Sequence, residues 1–445
     1  MRLLRKLLFS VLALASLALA KSSTGDSVLV VLDPSLRKED YSIFFGDLEK
    51  RGYSLTFRAP KDTTPEVIKD GIPQFAHIIL FSPETKSYAS DITPQSLVTL
   101  LNKNTNVLFS LSEKQTPLSS LAAEFSLVLP PPGTPLISHF PQRDTPATVV
   151  PVDAPRAHHI ISPNPAPVWF SGIPQALGPS PLIVPLLKAP PQSFASEASG
   201  DSDADMLVEA AEKTGEGLWA GSAMSLVTGF QPTGNARATW VGGVAMFSDE
   251  YMKKEASKGV QSGNQQFARD VTAWTFQESL VLRLDRTEHH RVNETLPAEV
   301  YTINDMVTYS AYISQYDAET DSWEPYSGIK DLQLEFTMLD PHIRTSLPAV
   351  PGEPGKYSVT FRVPDRHGVF KFVINYKRNG WTYLDSSMVV PVVPPQHDGY
   401  PRFLSAAWPY YAGAFSTSAA FVLFVALWLG GDDREPKKNK GSKAE

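Results

Sequence analysis

Cysteine is absent from all 445 residues. That excludes a thiol nucleophile, a cysteine-ligated zinc, an iron–sulfur cluster and any disulfide, so the fold must rely on buried apolar surface. Phosphate-binding motifs are missing from the N-terminal region, which has neither G-x-G-x-x-G nor G-x-x-x-x-G-K-[ST]. No G-x-S-x-G elbow appears either. Positive charge is scarce, since the net charge is −7 and no basic patch interleaves with aromatics. A nucleic-acid binder is therefore disfavoured. Histidine is sparse too: His77 is the only one before His139, and it opens an apolar run where a satisfied core or edge role is expected. The 38 prolines argue for loops and edge strands and against a helical bundle.

Both chain ends carry long apolar runs. "MRLLRKLLFSVLALASLALAKSS" places Arg2, Arg5 and Lys6 before an apolar core and ends it with Ala18-Leu19-Ala20. This predicts a secretory signal peptide over 1–20. Near the other end, no charged residue occurs from Trp408 to Gly430. Trp408, Tyr410 and Tyr411 flank one side and Trp428 the other, followed by Arg434, Lys437, Lys438, Lys440 and Lys443. An aromatic belt and a basic flank predict a membrane helix over 406–430 and a cytosolic tail over 431–445. Its first half has Ala412, Ser416 and Ala420 four apart, and Gly413 and Thr417 likewise. Small residues at that spacing admit a partner helix, while Phe421 to Leu429 suits lipid.

Between the ends, "SVLVVLD", "YSLTFRAP", "AHIILFSP" and "NVLFSLSE" read as strands. "KEDYSIFFGDLEKRG" and "TPQSLVTLLNKNTN" read as helices between them. Such alternation predicts an α/β parallel sheet with ligands at the strands' carboxyl ends, which carry Asp33, Ser82 and Ser110. A serine nucleophile, Ser110 or Ser112, would need a histidine base beside it. The stretch from Pro130 to Pro191 is expected to be mostly irregular. Asp201, Asp203, Asp205, Glu209 and Glu212 imitate a calcium loop, but Met206 stands where that loop turns on glycine. A plain acidic surface segment is expected there. "ARATWVGGVAMFS" reads as a strand bending at Gly242-Gly243. "NQQFARDVTAWTFQESLVLRL" reads as a helix with Phe267, Val271, Trp274 and Val281 on one stripe.

Beyond Asp285 the pattern turns to short alternating segments such as "DLQLEFTMLD" and "GKYSVTFRVP", which predicts an immunoglobulin-like β-sandwich. Asn379-Gly380 signals a two-residue hairpin. Asn293-Glu294-Thr295 is an N-glycosylation acceptor, preceded by His289 and His290, which in a strand point to opposite faces and make a poor metal pair. The expected domains are 21–285 for the lumenal α/β unit with its Pro/Ser-rich insertions and 286–400 for the sandwich. The residues alone leave open a type I scaffold or receptor and a membrane-anchored hydrolase or transferase using Asp33, Ser82 or Ser110.

"HHRVNETLPAEVYTINDMVTYS", "DLQLEFTMLDPHIRT", "GKYSVTFRVPDRHGVFKF" and "YPRFLSAAWPYYAGAFS" add a resemblance. The chain resembles the 48 kDa subunit family of the endoplasmic-reticulum oligosaccharyltransferase across essentially its whole mature length. The resemblance implies a non-catalytic, structural subunit of the complex that moves a preassembled glycan from dolichyl diphosphate to Asn in Asn-x-Ser/Thr. The catalytic carboxylates and metal would belong to a multi-span partner, so no catalytic, cofactor or metal residue is expected here. Scaffolding of partner subunits and positioning of the lipid-linked oligosaccharide are the implied roles, in a single-pass membrane protein whose bulk is lumenal. The family's N-terminal domain resembles glutamine amidotransferases and flavodoxin-like sheets, but their cysteine nucleophile has no counterpart here. Some members end in a dilysine retrieval signal. Here Lys443 is in place but Ser442 stands where the second lysine would be, so retention is expected to rest on assembly.

Overall fold

The computed structural model describes residues 22–142, 145–155, 159–163, 165–195, 219–257, 259–399 and 402–431. The expected signal peptide, the acidic segment over 201–212 and nearly all of the expected tail lie outside these residues.

The N-terminal unit grows from β1 (Ser27–Leu32), whose alternate side chains enter two different cores. Val28 and Val30 face one layer, Leu29 and Val31 the other. A strand covered on both faces must be apolar throughout, which explains the unbroken run. β2 (Ser54–Arg58) and β3 (His77–Phe81) pair parallel on its two sides, and β4 (Asn106–Ser110) pairs parallel with β3. On the first face lies α1 (Ser42–Lys50), which buries Phe44, Phe45 and Leu48. The second face is covered by α2 (Pro94–Asn102) and α3 (Pro117–Glu124), through Leu97, Leu100, Leu118 and Leu121. Both of these helices start at a threonine followed by proline. In α2 the Thr93 hydroxyl accepts from the Ser96 amide at 3.1 Å while the Thr93 amide donates to Ser96 Oγ at 2.7 Å. This reciprocal cap satisfies two otherwise orphaned donors.

The remaining strands make the sheet mixed rather than purely parallel. β5 (Leu127–Val128), β6 (Gln175–Leu177), β7 (Ile183–Lys188) and β8 (Met224–Phe230) pair antiparallel with one another or with β9 (Ala238–Val241), and β9 pairs parallel with β4. The order is β2-β1-β3-β4-β9-β8-β6-β5, with β7 on β8. Two of these strands fall in the proline-rich stretch expected to be irregular. β7 tolerates Pro185 because it is an edge strand, and its register slips between Pro185 and Leu187. Gly242 and Gly243 do bend the chain, at contacts that leave no room for a side chain. A Cβ at Gly242 would lie 2.0 Å from the Ile173 carbonyl oxygen, and one at Gly243 1.9 Å from that of Ser171. The helix α4 (Asn264–Thr275) carries Phe267, Val271 and Trp274 into the first core. Val281 is not on its stripe, because left-handed backbone at Gln277 and Leu280 ends the helix first.

The C-terminal unit has two sheets. One comprises β10 (Leu282–Arg291), β12 (Met306–Asp317), β13 (Ser322–Pro325) and β16 (Lys356–Arg362), with β12 central. The other runs β11 (Tyr301–Thr302), β18 (Leu384–Val393), β17 (Gly368–Tyr376), β14 (Gln333–Thr337), β15 (Pro341–Ser346), all antiparallel except β11–β18. Inward residues of both sheets form one core. At its centre Phe372 stacks on Tyr309 at 5.0 Å and on His289 at 5.1 Å. His289 points inward and is buried, whereas His290 points outward. The β17–β18 connection is not a two-residue hairpin. Tyr376 opposes Leu384, so residues 377–383 form the loop. The Asn379-Gly380 turn has been drawn out to reach the other unit.

The last element, α5 (Trp408–Gly430), has 23 residues. At ~1.5 Å per residue it is long enough to cross a hydrocarbon core of ~30 Å, and its window of highest mean hydropathy, 1.9, is 0% buried.

Candidate functional site

The carboxyl rim of the parallel strands is the first place to seek chemistry. Each candidate there is committed to a structural bond. Asp33 accepts from the Thr85 hydroxyl at 2.6 Å, the Ser35 amide at 3.0 Å and the Ser35 hydroxyl at 2.8 Å. Burial alone would raise its pKa, but these donors and the charge of Lys114 outweigh it and hold the carboxyl below its usual range. Ser82 meets the Tyr88 hydroxyl at 2.8 Å, Ser110 donates to the Leu80 carbonyl at 2.7 Å and Ser112 to that of Pro83 at 2.6 Å. The neighbouring cleft of about 370 Å³ is bordered by Glu113, Lys114 and Pro130 to Pro132. His77 sits at the opposite, amino end. Its ring is fully buried, stacks on Phe276 at 4.4 Å and meets Asn106 Nδ2 at 3.2 Å and the Gly25 carbonyl at 3.0 Å. Burial pushes its pKa down to about 3, so it is neutral. Among the described residues no three His, Asp or Glu side chains are grouped to hold a metal.

The junction of the two units concentrates more unusual electrostatics. Arg237, at the entry to β9, is completely buried. Its guanidinium donates to the carbonyls of Trp274 at 2.7 Å, Ser279 at 2.8 Å, Leu280 at 2.8 Å and Gly380 at 3.3 Å. Burial lowers its pKa to about 9, so it remains charged at neutral pH. Gly380 lies at φ +85°, and a Cβ there would lie 2.6 Å from His159 Nε2. Its carbonyl also accepts from the Trp274 indole at 2.9 Å. Asn235 works like a piece of strand, donating to the Tyr383 carbonyl at 3.0 Å and accepting from the Tyr383 amide at 2.6 Å. Gln231 donates to the Trp381 carbonyl at 2.7 Å. Sequence reasoning missed Arg237 and Asn235, whose only mark is one cation at the head of an apolar strand.

Asn293 follows β10 in an exposed turn at φ +78°, a conformation asparagine tolerates. Ala412, Gly413, Ser416, Thr417 and Ala420 lie on α5, and none is buried. Ser416 and Thr417 both donate to the Gly413 carbonyl, at 3.0 and 2.8 Å. Their hydroxyls are thus satisfied within the helix.

The matching family models and relatives agree with one another. The family model described as "OST48, N-terminal domain" matches residues 19–278, and "OST48 middle domain" matches 289–432. The protein named dolichyl-diphosphooligosaccharide–protein glycosyltransferase 48 kDa subunit from Danio rerio is 32% identical, with 95% of this chain and 96% of that one covered. Its namesake from Caenorhabditis elegans is 32% identical over 94% of each chain. The one from Arabidopsis thaliana is 29% identical, over 91% and 93%.

Proposed function

This chain belongs to the family of 48 kDa subunits of dolichyl-diphosphooligosaccharide–protein glycosyltransferase, and from that premise we propose that it serves protein N-glycosylation as a non-catalytic scaffold. In this reading it holds partner subunits, including the catalytic multi-span subunit, and helps position the lipid-linked oligosaccharide whose glycan is transferred to Asn-x-Ser/Thr. It resides in the endoplasmic-reticulum membrane as a single-pass protein. The units 21–285 and 286–400 are lumenal, 406–430 spans, and 431–445 is cytosolic. The α/β unit is of flavodoxin-like or amidotransferase-like type and the two-sheet unit immunoglobulin-like. Asn293 is a glycan acceptor. The helix packs on a partner through Ala412, Gly413, Ser416, Thr417 and Ala420.

The observation that carries the reading is family membership over nearly the whole chain. It is supported by a rim whose serines and aspartate are all occupied by structural bonds. Capture of the tagged chain in mild detergent tests it. Copurifying multi-span proteins that glycosylate an Asn-x-Thr peptide are expected, with activity kept when Asp33, Ser82 and Ser110 are replaced singly. A chain that elutes alone from the cell surface would sink the scaffold role. Replacing Ala412 and Ser416 by leucine is expected to weaken copurification without lowering the stability of the lumenal units.

A further inference from the structure

The loop 377–383 has two sides. Its inner side is used up at the unit junction, through the carbonyls of Gly380, Trp381 and Tyr383. Its outer side faces the connection between β13 and β14, which presents Tyr326 and Asp331. Two adjoining cavities of about 240 and 580 Å³ open there and share Asp331, Tyr376 and Trp381. The rings of Trp381 and Tyr326 lie 5.8 Å apart and inclined by 33°. Both are half-buried, as is Tyr376, so each ring keeps surface toward solvent. The Arg378 guanidinium lies 5.3 Å from the Tyr376 ring, and its Nε donates to Asp331 Oδ2 at 2.6 Å. Asn379 adds an exposed amide. Burial and the charge of Asp331 push the Tyr376 hydroxyl up to about 12 against the opposing pull of Arg378.

The chemistry of this cleft selects its ligand. Tilted aromatic rings offer flat faces to aliphatic C–H groups. Beside them Asp331, whose Oδ2 holds the Arg378 guanidinium, keeps lone pairs on Oδ1, and the Asn379 amide both donates and accepts. An apolar side chain would use the rings but none of the hydrogen-bonding capacity left on Asp331 and Asn379. A simple anion would find Asp331 already holding the guanidinium. A pyranose fits both halves, with an apolar C–H face for the rings and adjacent hydroxyls for Asp331 and Asn379. We propose that this cleft at the edge of the sandwich is a carbohydrate subsite for a neutral hexose of an oligosaccharide. The inference deepens the scaffold reading and rests on it for the source of the sugar, the preassembled glycan.

The test uses the full chain in a non-glycosidic detergent, because sugar-headed detergents would compete. Mannotriose and maltotriose are titrated and followed by saturation-transfer NMR. Binding in the millimolar range is expected for one of them, weakened about tenfold by Trp381→Ala and about threefold by Asp331→Ala. Gly328→Ala is a second variant: its Cβ would lie 2.4 Å from the Tyr326 ring, so it displaces the ring that faces Trp381 across the cleft. It should weaken binding at temperatures where its melting curve shows the chain still folded. If the native chain binds neither trisaccharide, or if Trp381→Ala and Gly328→Ala bind as it does, the subsite is refuted. Copurification with the glycosyltransferase subunits would survive that result. Conversely, sugar binding by a chain that copurifies with none of them would refute the scaffold reading and keep the subsite.

Discussion

The α/β unit and the two-sheet unit hold themselves together differently. The α/β unit buries charge. Arg51 meets Glu278 at 2.6 Å with Tyr53 on the same carboxylate at 2.7 Å, Arg58 grips Asp91 through both nitrogens at 2.7 and 2.6 Å, and Arg237 binds carbonyls alone. In the sandwich the core is aromatic, with Phe336 stacked on Phe370 at 4.6 Å and 3°. Its ion pairs, such as Arg344–Glu335 and Arg283–Asp285, stay near the surface. The difference follows from chain distance. Sandwich strands are mostly paired with near neighbours in sequence, and apolar alternation suffices to register them. In the α/β unit, residues 51 and 278, or 237 and 380, must find each other across the chain. A buried polar pin tolerates no wrong partner, since a mismatch leaves a charge uncompensated.

Four experiments sharpen or break this contrast. The largest expected effect is in the sandwich: Phe372→Ala should cost about 4 kcal/mol, as large cavities do, read from urea unfolding of the full chain. Next comes the junction. Arg237→Met removes the charged donor shared by four carbonyls and should cost about 3 kcal/mol. It should also split one calorimetric transition into two, and a single unsplit transition would show that Arg237 does not couple the units. Third is acid sensitivity. The folded pKa of His77 is about 3, below its ordinary 6.5, so between those values the unfolded chain binds the extra proton. Stability should therefore fall as pH drops below 6.5, by up to about 1.4 kcal/mol per pH unit from this residue. Burial also lowers the pKa of His289, which adds a smaller slope of the same sign. His77→Asn should flatten the dependence, seen as urea midpoints at pH 7 and 5. Smallest is Arg344→Ala. Its pair with Glu335 is 57% and 27% exposed, so less than about 1 kcal/mol is expected.

Much of this architecture was legible in the chain. The parallel strands β1, β3 and β4 announced themselves because burial on both faces forces continuous apolar runs, and α5 because it is long and free of charge, whereas β2 is a half-buried edge strand. The opposite orientations of His289 and His290 followed from strand geometry alone. Other features were not legible. The edge strand around Pro185 was hidden because a residue type says nothing about which side of a strand is paired. Val281 fitted a helical period that the backbone at Gln277 abandons.

Sequence by itself thus located the continuous apolar strands, most of the helices and the long apolar C-terminal helix, because burial and hydrogen bonding repeat at short, fixed periods. Only tertiary structure decided what Asn379-Gly380 does. Locally that dipeptide favours a tight turn, but the Arg237 guanidinium and the Trp274 indole both claim the Gly380 carbonyl. Those bonds come from more than a hundred residues away in the chain, beyond the reach of any local pattern, and they convert a hairpin tip into the clasp between the two units.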